Sequence, residues 1–558
     1  MDWLTVEEAA TRMGVSVATV RRRAAAGDLV ARKSGKQWLI DGERLAGGPR
    51  RRARRETLLR SVFDVPAALA FVKATDINEL WVPDILRFED QLAEPERLVN
   101  AVLRKIQDGV FDPAVAIPIP KTPFFTRSAV LLTLEDRIAF QAVVGSVAAR
   151  IDAALPAQVM SARVAGSGRW FLQRGPTLWK RWQAQVQLQL VTGQPWMVKT
   201  DLTAYFDHIS HRLLIEEVSA LNPDPRVVTT LRAMLRAWAQ VPDMGLPQGP
   251  NAARVLGNLF LLPVDRVMLD AGYSYHRFMD DIRIVGSSKA DVISGMRLLE
   301  QECRNRGLII SSSKTQLLEG TDAIRDGQHP DRDAAQYSFD AGQATARPQL
   351  RRMLRAAIHD DGHVQVSSLR FSLWRLARLR EYSVLTLVLK RLEDLAPVAS
   401  VVAAYLQPFV SRDRVVNGIA DYLEDPSRAY STHLVTWMLA LMMEHPGRMP
   451  PRWSAAAGRL AKDRNQPPYL RALASVILAR GGRPTEISWI KSEMLREYDP
   501  DLLRGYAVAL HWEGALDRAT ESALITRAPG MAETVAYLRG RTSLPSLVYT
   551  GRRLPLPG

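Results

Sequence analysis

Two apolar strands that end in carboxylates constrain this chain more than any other feature. Trp196-Met197-Val198-Lys199-Thr200-Asp201 runs into one acid. Tyr275-His276-Arg277-Phe278-Met279-Asp280-Asp281-Ile282-Arg283-Ile284-Val285 reads as strand, turn and strand, with two acids at the turn. An Asp-Asp pair is common in surface turns. Flanked by apolar strands, it would bury two like charges unless a cation compensates. Asp201 and Asp280 are far apart in sequence, so only a fold that pairs their strands brings them together. Two more segments stand in fixed order with these. Gly245-Leu246-Pro247-Gln248-Gly249-Pro250-Asn251 enters a helix through Ala252, Ala253 and Asn258, and Gly307-Leu308-Ile309-Ile310 leads to Ser313-Lys314-Thr315.

Carboxylates delivered from neighbouring strands suit two divalent ions about 4 Å apart, which can activate a 3′-hydroxyl and stabilise a leaving pyrophosphate. Mg2+ prefers a few carboxylates, substrate phosphates and water. Taken together the four segments resemble the palm motifs of reverse transcriptases: the first Asp motif, the Leu-Pro-Gln-Gly motif, the Tyr-x-Asp-Asp-type box and the Lys-Thr motif. Phe278 stands where the box usually has Tyr. The resemblance implies Asp201 and Asp280 as metal ligands with Asp281 supporting, the Leu202 carbonyl completing a metal site, and two Mg2+ ions, with Mn2+ as a substitute. It implies Phe206 as the steric gate against a ribose 2′-hydroxyl, Gln248 and Gly249 as lining for the incoming dNTP, and Lys314 as the lysine that approaches its triphosphate. Upstream, Arg127 and Leu134-Glu135-Asp136-Arg137-Ile138-Ala139-Phe140-Gln141-Ala142 resemble the fingers motif of the same family, with Lys121 and Arg127 as triphosphate or template contacts. An Asp136–Arg137 ion pair that orders a helix start is the competing reading of that segment.

Charge agrees with a polyanionic partner. Lys+Arg number 74 against 59 Asp+Glu, a net of +15, and neutralised phosphates release condensed counterions. A solvated, Arg-rich surface would give the same balance. The first 60 residues hold 14 Lys+Arg and 7 Asp+Glu, so nearly half of the excess sits in about a tenth of the chain. There, Thr5 and Glu8 have capping-box spacing in a short helix starting at Leu4. Ser16 is an N-cap for a helix Val17 to Ala26 that projects Thr19, Arg21, Arg22 and Arg23. Leu29 to Ile40 reads as a hairpin turning at Ser34-Gly35-Lys36. The pattern resembles the winged helix-turn-helix of the excisionase and MerR-like group, whose second helix enters a DNA major groove; a protein-binding helical adaptor is the alternative. Arg51 and Arg52 belong to a basic linker able to track a phosphate backbone or to stay solvated.

One cysteine, Cys303, excludes a disulfide framework and a cysteine-rich zinc site. Met1-Asp2-Trp3 leads straight into a polar helical pattern without a secretory apolar region, and no stretch reaches the roughly 18 apolar residues of a membrane span. The expectation is a cytoplasmic protein with no membrane partner. Residues from about 63 to 340 mix helices with strands, and from about 345 onward the pattern is almost wholly helical. Val366 to Arg380, Ser383 to Leu395, Val398 to Phe409 and Thr432 to Met443 read as amphipathic helices with the loose spacing of HEAT-like hairpins. The expected fold is multidomain α+β: a winged helix-turn-helix over 1–46, a basic linker over 47–62, reverse transcriptase fingers and palm over 63–344, and an α-helical repeat or thumb-like unit over 345–558.

The tail lacks the signs of an intron maturase or an RNase H domain, and Val191-Thr192-Gly193 precedes the palm rather than following it as in retron enzymes. Glu135-Asp136-Arg137, Val159-Met160-Ser161-Ala162-Arg163-Val164, the tryptophans 170, 179 and 182 and the helical tail resemble, in that order, the abortive-infection and related defence-associated (unknown-group) bacterial reverse transcriptases. That resemblance implies an RNA-directed DNA polymerase that responds to phage, templated by a noncoding RNA or by nothing, and primed from a protein hydroxyl. Tyr549 is a candidate primer; a packed or merely exposed tyrosine is the alternative. The helical tail is a candidate homo-oligomer platform. A retron-like or intron-derived enzyme, and a nucleic-acid-binding regulator or scaffold, are the rival functions.

Overall fold

Thr5 and Glu8 set where the first helix begins. The Thr5 amide donates to Glu8 Oε2 at 2.8 Å and the Glu8 amide to Thr5 Oγ1 at 3.2 Å, a reciprocal cap on the helix Val6–Met13. Leu4 is therefore not helical but lies in strand β1 (Trp3–Thr5). Ser16 Oγ accepts from the Thr19 amide at 3.3 Å and opens the helix Val17–Ala25. Strands β2 (Ala31–Ser34) and β3 (Gln37–Asp41) pair antiparallel, and β1 joins the other edge of β3. The small core is Val6, Ala9, Ala10, Met13, Val20, Ala24 and Ile40. The computed structural model describes residues 3–548 except 14, 26–28, 30, 35–36, 42–56, 79, 122–123, 167, 169, 426 and 429–430. Arg51, Arg52 and Tyr549 thus lie outside the described residues, as does the turn at 35–36.

An antiparallel hairpin of β4 (Val115–Pro120) and β5 (Thr126–Leu131) precedes a four-stranded sheet. That sheet contains β6 (Trp196–Asp201), β7 (Ser274–Phe278), β8 (Asp281–Gly286) and β9 (Gln316–Glu319), in the order β7-β8-β6-β9. Alternation along a strand sends successive side chains to opposite faces. Val198, Ile282, Ile284 and Tyr275 enter a core built with the helices Leu134–Ala154 and Asn251–Asp270. Met197 and Val285 face the other way, onto Trp182, Val186 and Leu190 of the helix Gly175–Val191. Lys199, Asp201, Asp281 and Arg283 continue that second face towards one end of the sheet.

The Thr133 hydroxyl caps the helix Leu134–Ala154, accepting from the Asp136 amide at 3.3 Å. Asp136 does not pair with Arg137. Its carboxylate takes Lys105 Nζ at 2.7 Å and Trp238 Nε1 at 3.2 Å, while the buried Arg137 faces Asp76. A helix turns successive residues about 100° apart, so neighbours 136 and 137 point to different partners.

Beyond β9 the described chain is helical, so the change of pattern falls nearer 320 than 345. The helices Val366–Arg378, Ala399–Leu406, Thr432–Met443, Pro468–Ala479 and Pro500–Trp512 pack each on the next. A second row, Leu385–Lys390, Asp413–Glu424 and Pro451–Lys462, lies beside them. Arg380, at φ 49°, ends the first of these helices two residues before its expected limit. Gly505 is required where two helices touch, because a Cβ there would sit 2.6 Å from Ala472. The array's core also takes in Ile117, Ile119 and Ala129 of the hairpin β4–β5, together with Val82, Ile85 and Leu86. Buried Arg504 fastens this junction, with Nη2 2.8 Å from Asp90 Oδ1 and Nη1 2.5 Å from Asp84 Oδ2. Among the described residues no helix is long and apolar enough to cross a membrane.

Candidate active site

Strand register assembles the acids. In the antiparallel ladder between β6 and β8, Asp201 stands directly opposite Asp281, and Asp280 occupies the adjoining turn. The Leu202 amide donates to the Asp280 carbonyl at 3.3 Å, and the Ser311 amide to the Asp201 carbonyl at 2.8 Å. Thr200 Oγ1 and Thr315 Oγ1 are 2.7 Å apart, which ties β6 to the Lys-Thr segment. Lys314 Nζ is ion-paired with Asp201 Oδ2. The expected triphosphate lysine thus balances the first carboxylate.

The two acids of the box face different neighbours. Burial, reinforced by the charge of Asp201, pushes Asp280 up to about 6 against the pull of Lys314 and Arg127. Burial also pushes Asp281 up to about 6, opposed by Arg283 and Lys199. Phe278 packs edge-on against Trp179, with centroids 5.0 Å apart, and lies 5.8 Å from Trp182. The phenyl ring at this position is therefore held by aromatic contact.

A buried polar network holds the turn itself. Met279 has φ 60°, a left-handed conformation disfavoured for an unbranched non-glycine residue. Its amide donates to Ser161 Oγ at 2.7 Å, and its carbonyl accepts from Arg277 Nη1 at 3.1 Å. Arg277 in turn donates to Asn258 Oδ1 at 2.9 Å and to both carboxylate oxygens of Asp265, at 2.7 and 2.5 Å. Tyr275 Oη donates to Asp265 Oδ1 at 2.9 Å. Arg277 and Asp265 are fully buried. The sequence motifs contain Arg277 and Asn258 but give them no role, because the partner Asp265 sits mid-helix with nothing to mark it.

The Leu-Pro-Gln-Gly loop closes the next side. Gln248 Nε2 donates to Asp207 Oδ1 at 3.2 Å, and the Gln248 carbonyl accepts from Trp81 Nε1 at 2.9 Å. Gly249 has φ +123°, and a Cβ there would lie 3.2 Å from Trp81 Nε1, so glycine meets both a conformational and a steric demand. Trp81 went unmarked in the sequence. Arg127 lies over its ring at 5.8 Å, and Trp437 Nε1 donates to its carbonyl at 3.0 Å. Burial raises Asp207 despite Gln248, Arg127 and Lys121, which puts both expected fingers cations near the site. Phe206 packs on Tyr205, 5.3 Å between centroids, and on the core beneath the sheet.

Residues 149–345 match the family model described as reverse transcriptase (RNA-dependent DNA polymerase). The protein carries a reverse transcriptase domain. The match spans all four motif segments and stops short of Lys121, Arg127 and most of the helical array. Residues 3–46 match a helix-turn-helix domain model. No curated protein matches the chain. Among solved structures, apo telomerase from Candida tropicalis truncated from its C-terminal domain is 14% identical, covering 38% of this chain and 51% of that one at a TM-score of 0.29. Telomerase from Candida albicans with a fragment of telomeric RNA is 12% identical, covering 59% and 65% at 0.31. Telomerase from Candida tropicalis with such a fragment is 9% identical, covering 62% and 68% at 0.30. The chain therefore spans from about half to about two thirds of those proteins, and TM-scores this low place no residue.

Within the reverse transcriptase domain a divalent cation can be tested against the donors present. Among the described residues no three His, Cys, Asp or Glu side chains converge as a ready-made cage. Mg2+ in nucleotide-processing sites needs only one or two carboxylates beside substrate phosphates and water. Two observations fit it: Asp280, raised by burial and by the charge of Asp201, and Asp281 Oδ1, which is buried with no hydrogen-bond partner. In the helix-turn-helix domain, Arg21 and Arg22 are exposed and Arg23 is half-buried. Arg21 Nη2 also reaches Glu7 Oε1 at 3.3 Å, so it is shared with an intramolecular ion pair.

Proposed function

We propose that this chain extends DNA from dNTPs on an RNA template, by two-metal nucleotidyl transfer at Asp201 and Asp280. The observation that carries the proposal is the ladder register that sets Asp201 opposite Asp281, with Asp280 at the adjoining turn. Asp201, Asp280 and the Leu202 carbonyl would hold two Mg2+ ions, or Mn2+, with Asp281 supporting. Such ions activate a 3′-hydroxyl and stabilise leaving pyrophosphate. Lys314 balances Asp201 and, released from it, donates to the triphosphate. Gln248, Gly249, Arg127 and Lys121 line the nucleotide, and Phe206 excludes a 2′-hydroxyl.

The wider reading rests on the order of motifs rather than on the site. It makes residues 63–344 the polymerase unit and 345–558 a HEAT-like helical unit, in a bacterial, cytoplasmic enzyme of antiphage defence. The helix-turn-helix over 1–46, with Arg21, Arg22 and Arg23, and the linker arginines Arg51 and Arg52 would add nucleic-acid contacts. Tyr549 would prime, and the array would support a homo-oligomer.

Purified protein with its co-purifying nucleic acid should incorporate labelled dNTPs in Mg2+ and stop when the metal is chelated. Binding of nucleic acid with no incorporation in Mg2+ or Mn2+ would instead favour the regulator or scaffold. Phe206→Ala should admit ribonucleotides, raising the ribo-to-deoxy incorporation ratio by about tenfold or more, since a lost steric clash of about 1.4 kcal/mol is a factor of ten. Unaltered sugar selectivity would remove Phe206 from the gate.

A further inference from the structure

The helical array brings an arginine that meets no acid, and an imidazole, towards Arg127 of the hairpin β4–β5. Arg370, in the helix Val366–Arg378, makes no hydrogen bond or ion pair with a described residue, and its Nε is buried without a partner. His433, at the start of the helix Thr432–Met443, is buried with Nδ1 unpartnered. Arg127 of β5 is near enough to lower Arg370, to about 10, after burial. Arg370 adds in turn to the burial that lowers His433 to about 3. Arg127 is also close enough to Asp280 and Asp207 to oppose the effect of burial on both, which sets it beside the carboxylate site.

The frame around these groups is fixed. The helix Thr432–Met443 presents both His433 and Trp437, and Trp437 Nε1 bonds to the Trp81 carbonyl at 3.0 Å. Trp81 lies under Arg127 and bonds to the Gln248 carbonyl. Segments distant in sequence thus converge on one spot, with two guanidiniums, an imidazole and no acid bonded to either arginine. A half-buried guanidinium with no acid partner lowers the stability of the fold that keeps it. Arginine's planar fork matches phosphate geometry when an anion arrives.

We propose that Arg370 and Arg127, with His433 beside them, form a phosphate-binding site shared between the hairpin β4–β5 and the helical array. It deepens the polymerase reading, on which it relies only for the identity of the polyanion. The phosphate belongs either to a nucleotide's polyphosphate or to a nucleic-acid backbone, and the two arms of the test separate these.

Full-length protein and Arg370→Met are compared for affinity towards inorganic tripolyphosphate and, separately, a single-stranded oligonucleotide. Arg370→Met should unfold no lower in temperature than wild type without ligand, because a half-buried guanidinium without an acid partner is gone. Its affinity for at least one probe should fall about tenfold. Loss confined to tripolyphosphate assigns the nucleotide. Loss confined to the oligonucleotide, with a salt slope shallower by about 0.7, assigns one backbone phosphate. Arg370→Lys keeps the charge without the fork and should recover part of the loss, which a folding defect would not allow. Wild-type affinity of Arg370→Met for both probes overturns the proposal. None of these readouts needs turnover, and Asp280→Asn protein should show the same dependence on Arg370, so failure of the polymerase reading is seen separately.

Discussion

Asparagine at position 280 is expected to lower dNTP incorporation by about 10³-fold or more while making the metal-free protein more stable near neutral pH. Three decades of rate correspond to about 4 kcal/mol of transition-state stabilisation, within what loss of a metal-binding carboxylate can remove. The stability gain follows from linkage. Burial and Asp201 raise Asp280 from 3.8 to about 6 in the folded protein, so the folded state binds this proton more tightly than the unfolded chain does. The stabilising contribution is complete below about pH 4. It is lost as pH rises towards 6, and above that the ionised group is a net penalty. A shift of this size is worth on the order of 2–3 kcal/mol. Asp280→Asn removes the penalty, so its unfolding temperature should exceed that of wild type above pH 6 and converge with it below pH 4. Mg2+ should raise the stability of wild type more than that of the variant. Equal unfolding profiles across this range, or undiminished incorporation, would sink the assignment. Asp281→Asn should show the same pH pattern, since burial raises Asp281 comparably.

Much of this site is legible in the sequence because its parts are local. The apolar runs before Asp201 and around Asp280-Asp281 dictate strands, and like charges there demand that the strands be paired. The observed register does so. Gly249 is readable as lining for the nucleotide, but neither its left-handed φ nor its steric partner Trp81 is. What stays hidden is tertiary pairing between residues of ordinary type. Asp265 reads as one more helical acid until Arg277 and Tyr275 are seen to bond to it. Arg370 and His433 read as parts of amphipathic helices, and only tertiary packing half-buries the one, buries the other and withholds an acid from both. The Asp136–Arg137 reading fails for the converse reason: sequence neighbours on a helix point apart, and Lys105 and Asp76 take the two charges. Boundaries in the helical array shift for local causes such as the left-handed Arg380.

Arg277→Met is expected to destabilise the protein by about 3–5 kcal/mol, because it strands the buried Asp265 carboxylate. The Arg277–Asp265 pair is fully buried and joined by two bonds, so little of its strength is lost to solvent. Such a loss alone would not separate a structural prop from a residue that positions the active site. The double variant Arg277→Met, Asp265→Leu does. Replacing both charges with apolar groups of similar volume removes the stranded carboxylate and should recover most of the stability. It does not recover the Arg277 bond to the Met279 carbonyl, and Met279 must still hold φ 60° between Phe278 and Asp280. The Ser161 hydroxyl, through the Met279 amide, and the Leu202 amide, through the Asp280 carbonyl, then restrain the turn without Arg277. The double variant should therefore be near wild type in thermal unfolding yet slower in incorporation by about tenfold or more, the cost of a carboxylate held loosely by about 1.4 kcal/mol. The deficit should appear in kcat rather than in the KM for dNTP, because Gln248, Gly249 and Arg127 are untouched. Full incorporation together with restored stability would reduce the Arg277 network to core packing. Restored stability with impaired turnover would tie the turn's backbone geometry to the placement of Asp280.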